Sequence, residues 1–94
     1  KALSILKLYQ FRKDWIVEVT RSQYAVRALD WMFVRPIFRS SNFAASVDIP
    51  GPTASRILRV VRDRGMLTEI RAASGRRAAT FAFDELLDIA DGAV

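Results

Sequence analysis

Cysteine and histidine are both absent from the 94 residues of this chain. Without cysteine the chain forms no disulfide, holds no metal through thiolates and has no sulfur nucleophile. Without histidine it lacks the imidazole group that serves as a general base and as a zinc ligand. Most familiar hydrolytic and zinc chemistries are thereby removed, and we expect no metal and no cofactor. The lack of cysteine is compatible with a reducing compartment, so we predict a cytoplasmic location.

Long apolar runs are absent as well. No stretch approaches the roughly 18 residues that a membrane-spanning helix needs, and no signal-peptide pattern is visible. The chain is nevertheless 51% hydrophobic, which is typical of a folded protein. Its length predicts one domain that buries on the order of 60% of its unfolded surface. Because the sequence begins at Lys1 rather than Met, we expect it to be a fragment of something longer.

Positive charge is concentrated in the middle of the chain. The net charge is +5, and residues 35–81 carry nine arginines against three carboxylates. Residues 82–94 carry four carboxylates and no cation. Guanidinium groups bind phosphate and carboxylate through paired hydrogen bonds, which indicates an anionic partner. A solvated, soluble surface is the alternative interpretation.

The first 20 residues form a separate segment in this interpretation. Residues 2–12 predict a short, weakly amphipathic helix, and residues 14–20 are ambiguous between helix and strand. Both stretches are more apolar than a free N-terminus needs. They pack either on a missing part of the chain, on a second copy, or on the core of this domain. We assign residues 1–20 to an N-terminal extension or connector and residues 21–94 to the folded domain.

Seven further elements are predicted from hydrophobic periodicity. In chain order they are a helix over 22–34, an extended piece at 37–38, helices over 42–47 and 52–64, strands at 66–71 and 79–83, and an acidic helix over 84–91. The helical period gives way to alternation after Gly65, and Ser74-Gly75 marks a turn between the two strands. This order is that of a winged helix-turn-helix, mainly α with a small β-hairpin: a three-helix core plus a wing.

Polar residues predict where these elements begin and end. The expected helix N-caps are Ser22, then Ser40 or Ser41, and Asp84. Pro36 ends the first of these helices. Asp48 tolerates the left-handed backbone that a helix C-terminus often needs, and Pro52 suits a first helical turn.

The segment 52–64 has two different faces on a helical wheel. Its apolar face consists of Ala54, Ile57, Leu58 and Val61, with the spacing of a buried stripe. The opposite face holds Arg56, Arg59 and Asp63, with Thr53, Ser55 and Arg62 on the flanks. One face therefore fills the core, and the other is free to make contacts.

The free face and the turn between the strands predict DNA binding. Hydroxyl and guanidinium groups reach phosphates and guanine edges in a major groove, and a helix N-terminus favours phosphate. Arg76 and Arg77 lie at the predicted wing, where they would touch an adjacent backbone. The candidate nucleic-acid-binding residues are Thr53, Ser55, Arg56, Arg59, Arg62, Arg76 and Arg77. Five or six phosphate contacts would each contribute roughly −0.9 to the logarithmic salt dependence.

Two other functions stay open at this point. The same compact core occurs in domains that only contact proteins, and exposed arginines are often merely solvated. Asp63 repels phosphate unless it pairs with Arg59 or Arg62. An enzyme is the weakest interpretation, because Asp84 and Glu85 have no partner set for acid–base chemistry and are explained as charge at a helix N-terminus.

The run RPIFRSSNFAASVDIPGPTASRILRVVRDRGMLTEIR, followed by SGRR, resembles the winged helix-turn-helix that follows the catalytic domain in many Fic proteins. Those are adenylyltransferases of the filamentation-induced-by-cAMP family. The similarity covers roughly residues 21–91. Its most specific part is the pattern of Phe43-Ala44, Ile49, Pro52 to Arg56, Leu58, Arg64-Gly65 and Leu67.

The resemblance implies a C-terminal regulatory module that binds double-stranded DNA. The family's His-Pro-Phe and Gly-Asn-Gly-Arg catalytic motifs are absent, so this chain is not expected to be an enzyme. It departs from the family at Asp48, where Gly is frequent, and at Pro50-Gly51, where a Ser-Arg pair is frequent. The second departure removes a DNA-touching Arg. The alternative is a protein-interaction or dimerisation module that positions a Fic catalytic domain or its target without binding DNA.

Overall fold

The computed structural model describes residues 1–92 of the chain. Within this range the elements are α1 (Ala2–Thr20), α2 (Ala25–Val34), β1 (Ile37–Arg39), α3 (Ser40–Ser46), α4 (Gly51–Asp63), β2 (Thr68–Arg71), β3 (Thr80–Ala82) and α5 (Asp84–Ala90). The three strands form one antiparallel sheet in the order β1-β3-β2. The architecture is mainly helical with a small sheet, and it is compatible with the predicted winged helix.

A single long helix, α1, occupies the N-terminal segment where a short helix and an ambiguous stretch were predicted. It ends at Thr20, where Arg21 adopts a left-handed φ of 50°. Leu8 and Ile16 are buried in the same core as the other helices. This face of α1 therefore covers the core of the described chain, which was one of the predicted alternatives. Four large apolar side chains of α1 stay exposed: Leu3, Leu6, Phe11 and Val17.

Helix α2 begins later than the sequence predicts. The Ser22 hydroxyl accepts a hydrogen bond from the Tyr24 N–H at 3.1 Å, and the Ser22 carbonyl accepts one from the Ala25 N–H at 3.2 Å. Ser22 thus shapes the turn before α2 and does not cap its first turn. At its other end α2 stops at Val34, ahead of Pro36 as predicted.

Helix α3 begins at Ser40, two residues earlier than predicted, and no side chain caps it. The expected cap at Ser40 or Ser41 is therefore wrong. The reason lies in the sheet, because the Ser40 N–H donates to the Ala79 carbonyl at 2.9 Å. A backbone partner from the strand region satisfies the first N–H of the helix, and a hydroxyl cap is not needed there.

The turn before α4 matches its prediction. Asp48 has a left-handed φ of 61°, and Pro52 lies in the first turn of α4. The Arg27 guanidinium donates to the Asp48 carbonyl at 2.8 Å, which ties α2 to this turn. Gly65, with a φ of 90°, follows the end of α4, at the point where the helical period was predicted to give way to alternation.

The predicted apolar face of α4 is the centre of the core. Ala54, Ile57 and Val61 are 0% exposed and Leu58 is 9% exposed. Aromatic side chains from α2, β1 and α3 pack beside this face. The Trp31 ring meets the rings of Phe38 and Phe43 edge to face, at centroid distances of 5.0 and 5.2 Å.

The predicted hairpin forms with shorter strands. Ser74 and Arg77 exchange backbone hydrogen bonds of 2.8 and 3.0 Å around Gly75 and Arg76. Gly75 has a φ of 58° at the first central position, which is where a type II′ turn places glycine. All four side chains of β2 are exposed, so its alternation does not produce the half-buried strand that such a pattern favours.

Helix α5 begins at Asp84. The sequence predicted Asp84 to be the N-cap of this helix, and that prediction is wrong. Phe83 holds that position, and no side chain caps the helix. The Asp84 carboxylate instead accepts a hydrogen bond from the Thr68 hydroxyl at 2.5 Å. The Asp84 carboxylate therefore binds a hydroxyl of β2 and does not cap the backbone N–H groups of α5. The Arg12 Nε donates to Glu85 at 2.8 Å and joins α1 to α5.

Candidate nucleic-acid interface

An open groove of about 360 Å³ lies between α3, α4 and β3. Its buried lining residues are Phe43, Leu58, Ala79 and Phe81, which make an apolar floor. Its exposed or half-buried lining residues are Ser40, Ser41, Ala44, Ser55, Arg59 and Arg62. The groove thus combines an apolar floor with a rim of hydroxyl and guanidinium groups.

Three of the predicted site residues meet at this groove. Ser55, Arg59 and Arg62 follow one another at helical spacing on α4, so one side of the helix presents all three. Arg62 is already paired, because its Nε and Nη2 lie 3.1 and 3.0 Å from the Asp63 carboxylate. Asp63 therefore pairs with the second of its two predicted partners. Within residues 1–92 Arg59 makes no ion pair, and it is the rim cation available to an anion.

Arg56 is half-buried, although the sequence placed it on the exposed face of α4. Its Nη2 donates to the Thr20 carbonyl at 2.9 Å. The last carbonyls of a helix have no partner within the helix, and α1 ends next to α4. The guanidinium of Arg56 supplies that missing donor and is held against α1. The expectation that Arg56 is held out to water is corrected by this contact.

The other predicted residues lie away from the groove. Thr53 is half-buried in the first turn of α4 and does not line the groove. Arg76 and Arg77 are exposed at the hairpin tip and do not line it either. The candidate residues are thus divided among the groove, the contact with α1 and the hairpin tip.

Sequence reasoning missed the groove residues outside α4. Ser40 and Ser41 were interpreted only as helix caps, and Phe81, inside the predicted strand at 79–83, was given no role in the site. The adjacent serines could have indicated a further role, because one helix N-cap needs only one hydroxyl and this helix start has two. Nothing local to the sequence indicates that β3 supplies part of the floor.

One titratable group on α1 has a clearly shifted pKa. The Tyr9 hydroxyl donates to the Asp30 carboxylate at 2.6 Å. This hydrogen bond is the main reason why the pKa of Tyr9 is raised above its ordinary value of 10.0. Burial and the negative charge of Asp30 raise it further. The pair joins α1 to α2 and does not line the groove.

No helix within residues 1–92 is both long enough and apolar enough to cross a bilayer. Comparisons with protein-family models, with curated proteins and with solved structures gave no match. The likeness to the Fic winged helix therefore stays a prediction that depends on the residues quoted for it.

Proposed function

We propose that this chain is a winged-helix module that binds double-stranded DNA, with α4 in the major groove and the β2–β3 hairpin beside it. One observation carries the proposal. Helix α4 buries its whole aliphatic side, yet Ser55 and Arg59 stay exposed on a surface that also presents the hydroxyls of α3. A helix anchored along one whole face can present donors on its other face to base edges and phosphates.

The hairpin supports the same proposal. Its tip carries Arg76 and Arg77, both exposed. Neither arginine forms an ion pair within residues 1–92. They are therefore available to a phosphate backbone next to the groove that α4 enters. Contacts of this kind add affinity without sequence preference.

In keeping with the resemblance, we propose that the module is a C-terminal regulatory domain of a Fic-type protein in the cytoplasm. Its first protein partner would then be the catalytic domain upstream. AMP transfer would belong to that domain, because the two catalytic motifs are missing from this chain.

The test is to titrate the chain into a fluorescently labelled duplex of mixed sequence and to monitor binding by fluorescence anisotropy at two salt concentrations. We expect a Kd in the range of about 10⁻⁴ to 10⁻⁶ M that weakens steeply as salt rises. Arg59→Met should weaken binding. The control is Lys7→Met, which removes the same charge from an exposed position on α1 and should change little. A Kd weaker than about 100 μM at low salt rejects the proposal.

A second candidate, a dimerisation or protein-interaction module, is favoured by the outer surface of α1. Leu3, Leu6 and Phe11 are 63%, 53% and 59% exposed. Side chains of this size on one helix are typical of a contact surface. Sedimentation equilibrium tests the dimer form: a concentration-dependent mass that Leu6→Glu abolishes supports it, and a monomer throughout speaks against it.

A further inference from the structure

We propose that the groove between α3, α4 and β3 binds a small aromatic carboxylate, with the carboxylate on Arg59 and the ring against the apolar floor. Binding at the groove does not depend on the DNA function. Only its consequence for DNA, described below, rests on the proposed function.

The shape of the groove favours a ring over a phosphate backbone. Its floor contains the rings of Phe43 and Phe81, which are 1% and 2% exposed. A phosphodiester placed over the floor itself, away from the rim, would lose water there, and the floor residues offer it no polar group in return. An aromatic ring instead covers the apolar atoms that Leu58, Ala79 and the two phenylalanines leave open, and it brings no charge to that part of the groove. The volume of about 360 Å³ is at the lower end of the range for small-molecule sites, which suits one or two fused rings.

The charges of the groove favour a monoanion. Its lining contains two cations and no carboxylate. The charge of Arg62 is already matched by Asp63 at 3.0 Å. This leaves one unmatched guanidinium, that of Arg59, for a ligand carboxylate. Arg and carboxylate pair through two parallel hydrogen bonds, which also fixes the orientation of the ring.

Hydroxyl groups complete the site. The side chains of Ser40, Ser41 and Ser55 line the groove. Within residues 1–92 none of these three hydroxyls is engaged in a side-chain hydrogen bond, in contrast to Ser46, which binds the Trp31 Nε1 at 3.0 Å. They can therefore donate to the second oxygen of the carboxylate.

A ligand in this position would compete with DNA. It occupies Arg59 and Ser55, the two exposed residues of α4 that the proposed DNA contact uses. The groove would thus make DNA binding depend on the concentration of a small organic acid.

The experiment titrates the full chain, labelled with ¹⁵N, with sodium 2-naphthoate at constant ionic strength. We expect saturable amide shifts confined to residues 40–44, 55–62 and 79–81, with a Kd of about 1 mM or tighter. The neutral isostere 2-naphthamide should bind at least about tenfold more weakly. Arg59→Met should weaken naphthoate binding by at least about tenfold. The matched control Arg76→Met, exposed at the hairpin tip, should leave it unchanged.

Three results overturn the inference: shifts that do not saturate, shifts centred outside the groove, or an equal loss in both arginine variants. The DNA titration separates the two proposals. Naphthoate binding without DNA binding supports the groove site and rejects the proposed function. DNA binding without naphthoate binding supports the proposed function and rejects the groove site.

Discussion

Arg56 and Arg59 lie three positions apart on α4, and their surroundings give them different roles. Arg56 is half-buried and donates to the Thr20 carbonyl at 2.9 Å. Arg59 is exposed at the edge of the groove. The first stabilises the contact between two helices, whereas the second is available to a ligand. Their substitution should therefore separate stability from binding.

We predict that Arg56→Ala lowers the free energy of unfolding by about 1–2 kcal/mol, because it removes a charged donor from a helix-end carbonyl that is shielded from water. Arg59→Ala should change stability by less than about 0.5 kcal/mol. The same Arg59 variant should weaken DNA binding by about 1–3 kcal/mol. Urea unfolding and anisotropy titration measure the two effects. A larger stability loss in Arg59→Ala than in Arg56→Ala would contradict this assignment.

Tyr9 predicts a dependence of stability on alkaline pH. Its folded-state pKa is raised above the ordinary value of 10.0, first by the hydrogen bond to Asp30. A group with a raised pKa stabilises the fold fully below the unfolded pKa and loses that contribution as pH rises through the folded pKa. The tyrosine contribution should therefore be complete at neutral pH and should be lost progressively as the pH rises above about 10 and through the raised pKa of Tyr9.

The measurement is urea unfolding of the wild-type chain and of Tyr9→Phe between about pH 8 and 11. The difference in stability between the two should be constant at the lower end and should shrink as pH rises. Tyr24→Phe serves as the control, since the Tyr24 hydroxyl forms no hydrogen bond within residues 1–92. A difference that stays constant over the whole range would show that the Tyr9–Asp30 bond does not contribute.

Among the elements, α4 was predictable from sequence because the information is local. Its period of 3.6 places Ile57 and Val61 on one face, and both are fully buried. The failure of the expected caps at Ser40 and Asp84 could not be predicted, because the groups that replace them as partners are distant in sequence. The Ser40 N–H binds the Ala79 carbonyl, and the Asp84 carboxylate binds Thr68. Which group binds at each helix start therefore depends on how the strand region packs beside the helix, and not on the sequence of the helix itself.

The packing of α4 gives a prediction at the same scale. Ile57→Ala should destabilise the fold by about 2–5 kcal/mol, since it removes a fully buried side chain and leaves a cavity. Val60→Ala, at a half-buried position on the same helix, should cost clearly less. Thermal and urea unfolding compare the two. Equal losses would mean that the core is not centred on the predicted face.

The hairpin should act on affinity without acting on sequence preference. If the proposed DNA contact is right, Arg76→Met and Arg77→Met should each weaken the binding of every duplex similarly, because each would remove a contact to phosphate and not to a base. Each should also reduce the logarithmic salt slope by about 0.9. Titrations of two unrelated duplexes over a salt series measure both effects. A loss confined to one duplex would instead indicate that the hairpin reads sequence.

On the scale of the whole molecule, the candidate site belongs to no single stretch of sequence. Its rim comes from α3 and α4, and its floor includes Phe81 of β3. The part of the site on α4 was predictable from periodicity, whereas the contribution of β3 depends on the pairing of Phe38 with Phe81 across the sheet. The orientation of Arg56 likewise depends on where α1 ends, which no pattern within residues 52–64 reveals.

The contacts that α1 makes with the rest of the core bear on the predicted boundary between residues 1–20 and 21–94. Leu8 and Ile16 are buried in the shared core, and Arg12 joins α1 to Glu85 of α5. Removing each buried aliphatic side chain costs about 2–5 kcal/mol, and whole domains of this size are stable by only about 5–15 kcal/mol. We therefore predict that residues 21–94 alone do not unfold cooperatively.

Residues 4–94, which lack only an exposed helix start, are the control and should keep a sharp transition. Circular dichroism during heating and the dispersion of amide resonances compare the two chains. A cooperative transition in residues 21–94 would make α1 a connector, as the sequence indicates. If residues 21–94 show no cooperative transition, α1 is part of the domain. The physical reason is that removal of α1 exposes the face of α4 next to it to water.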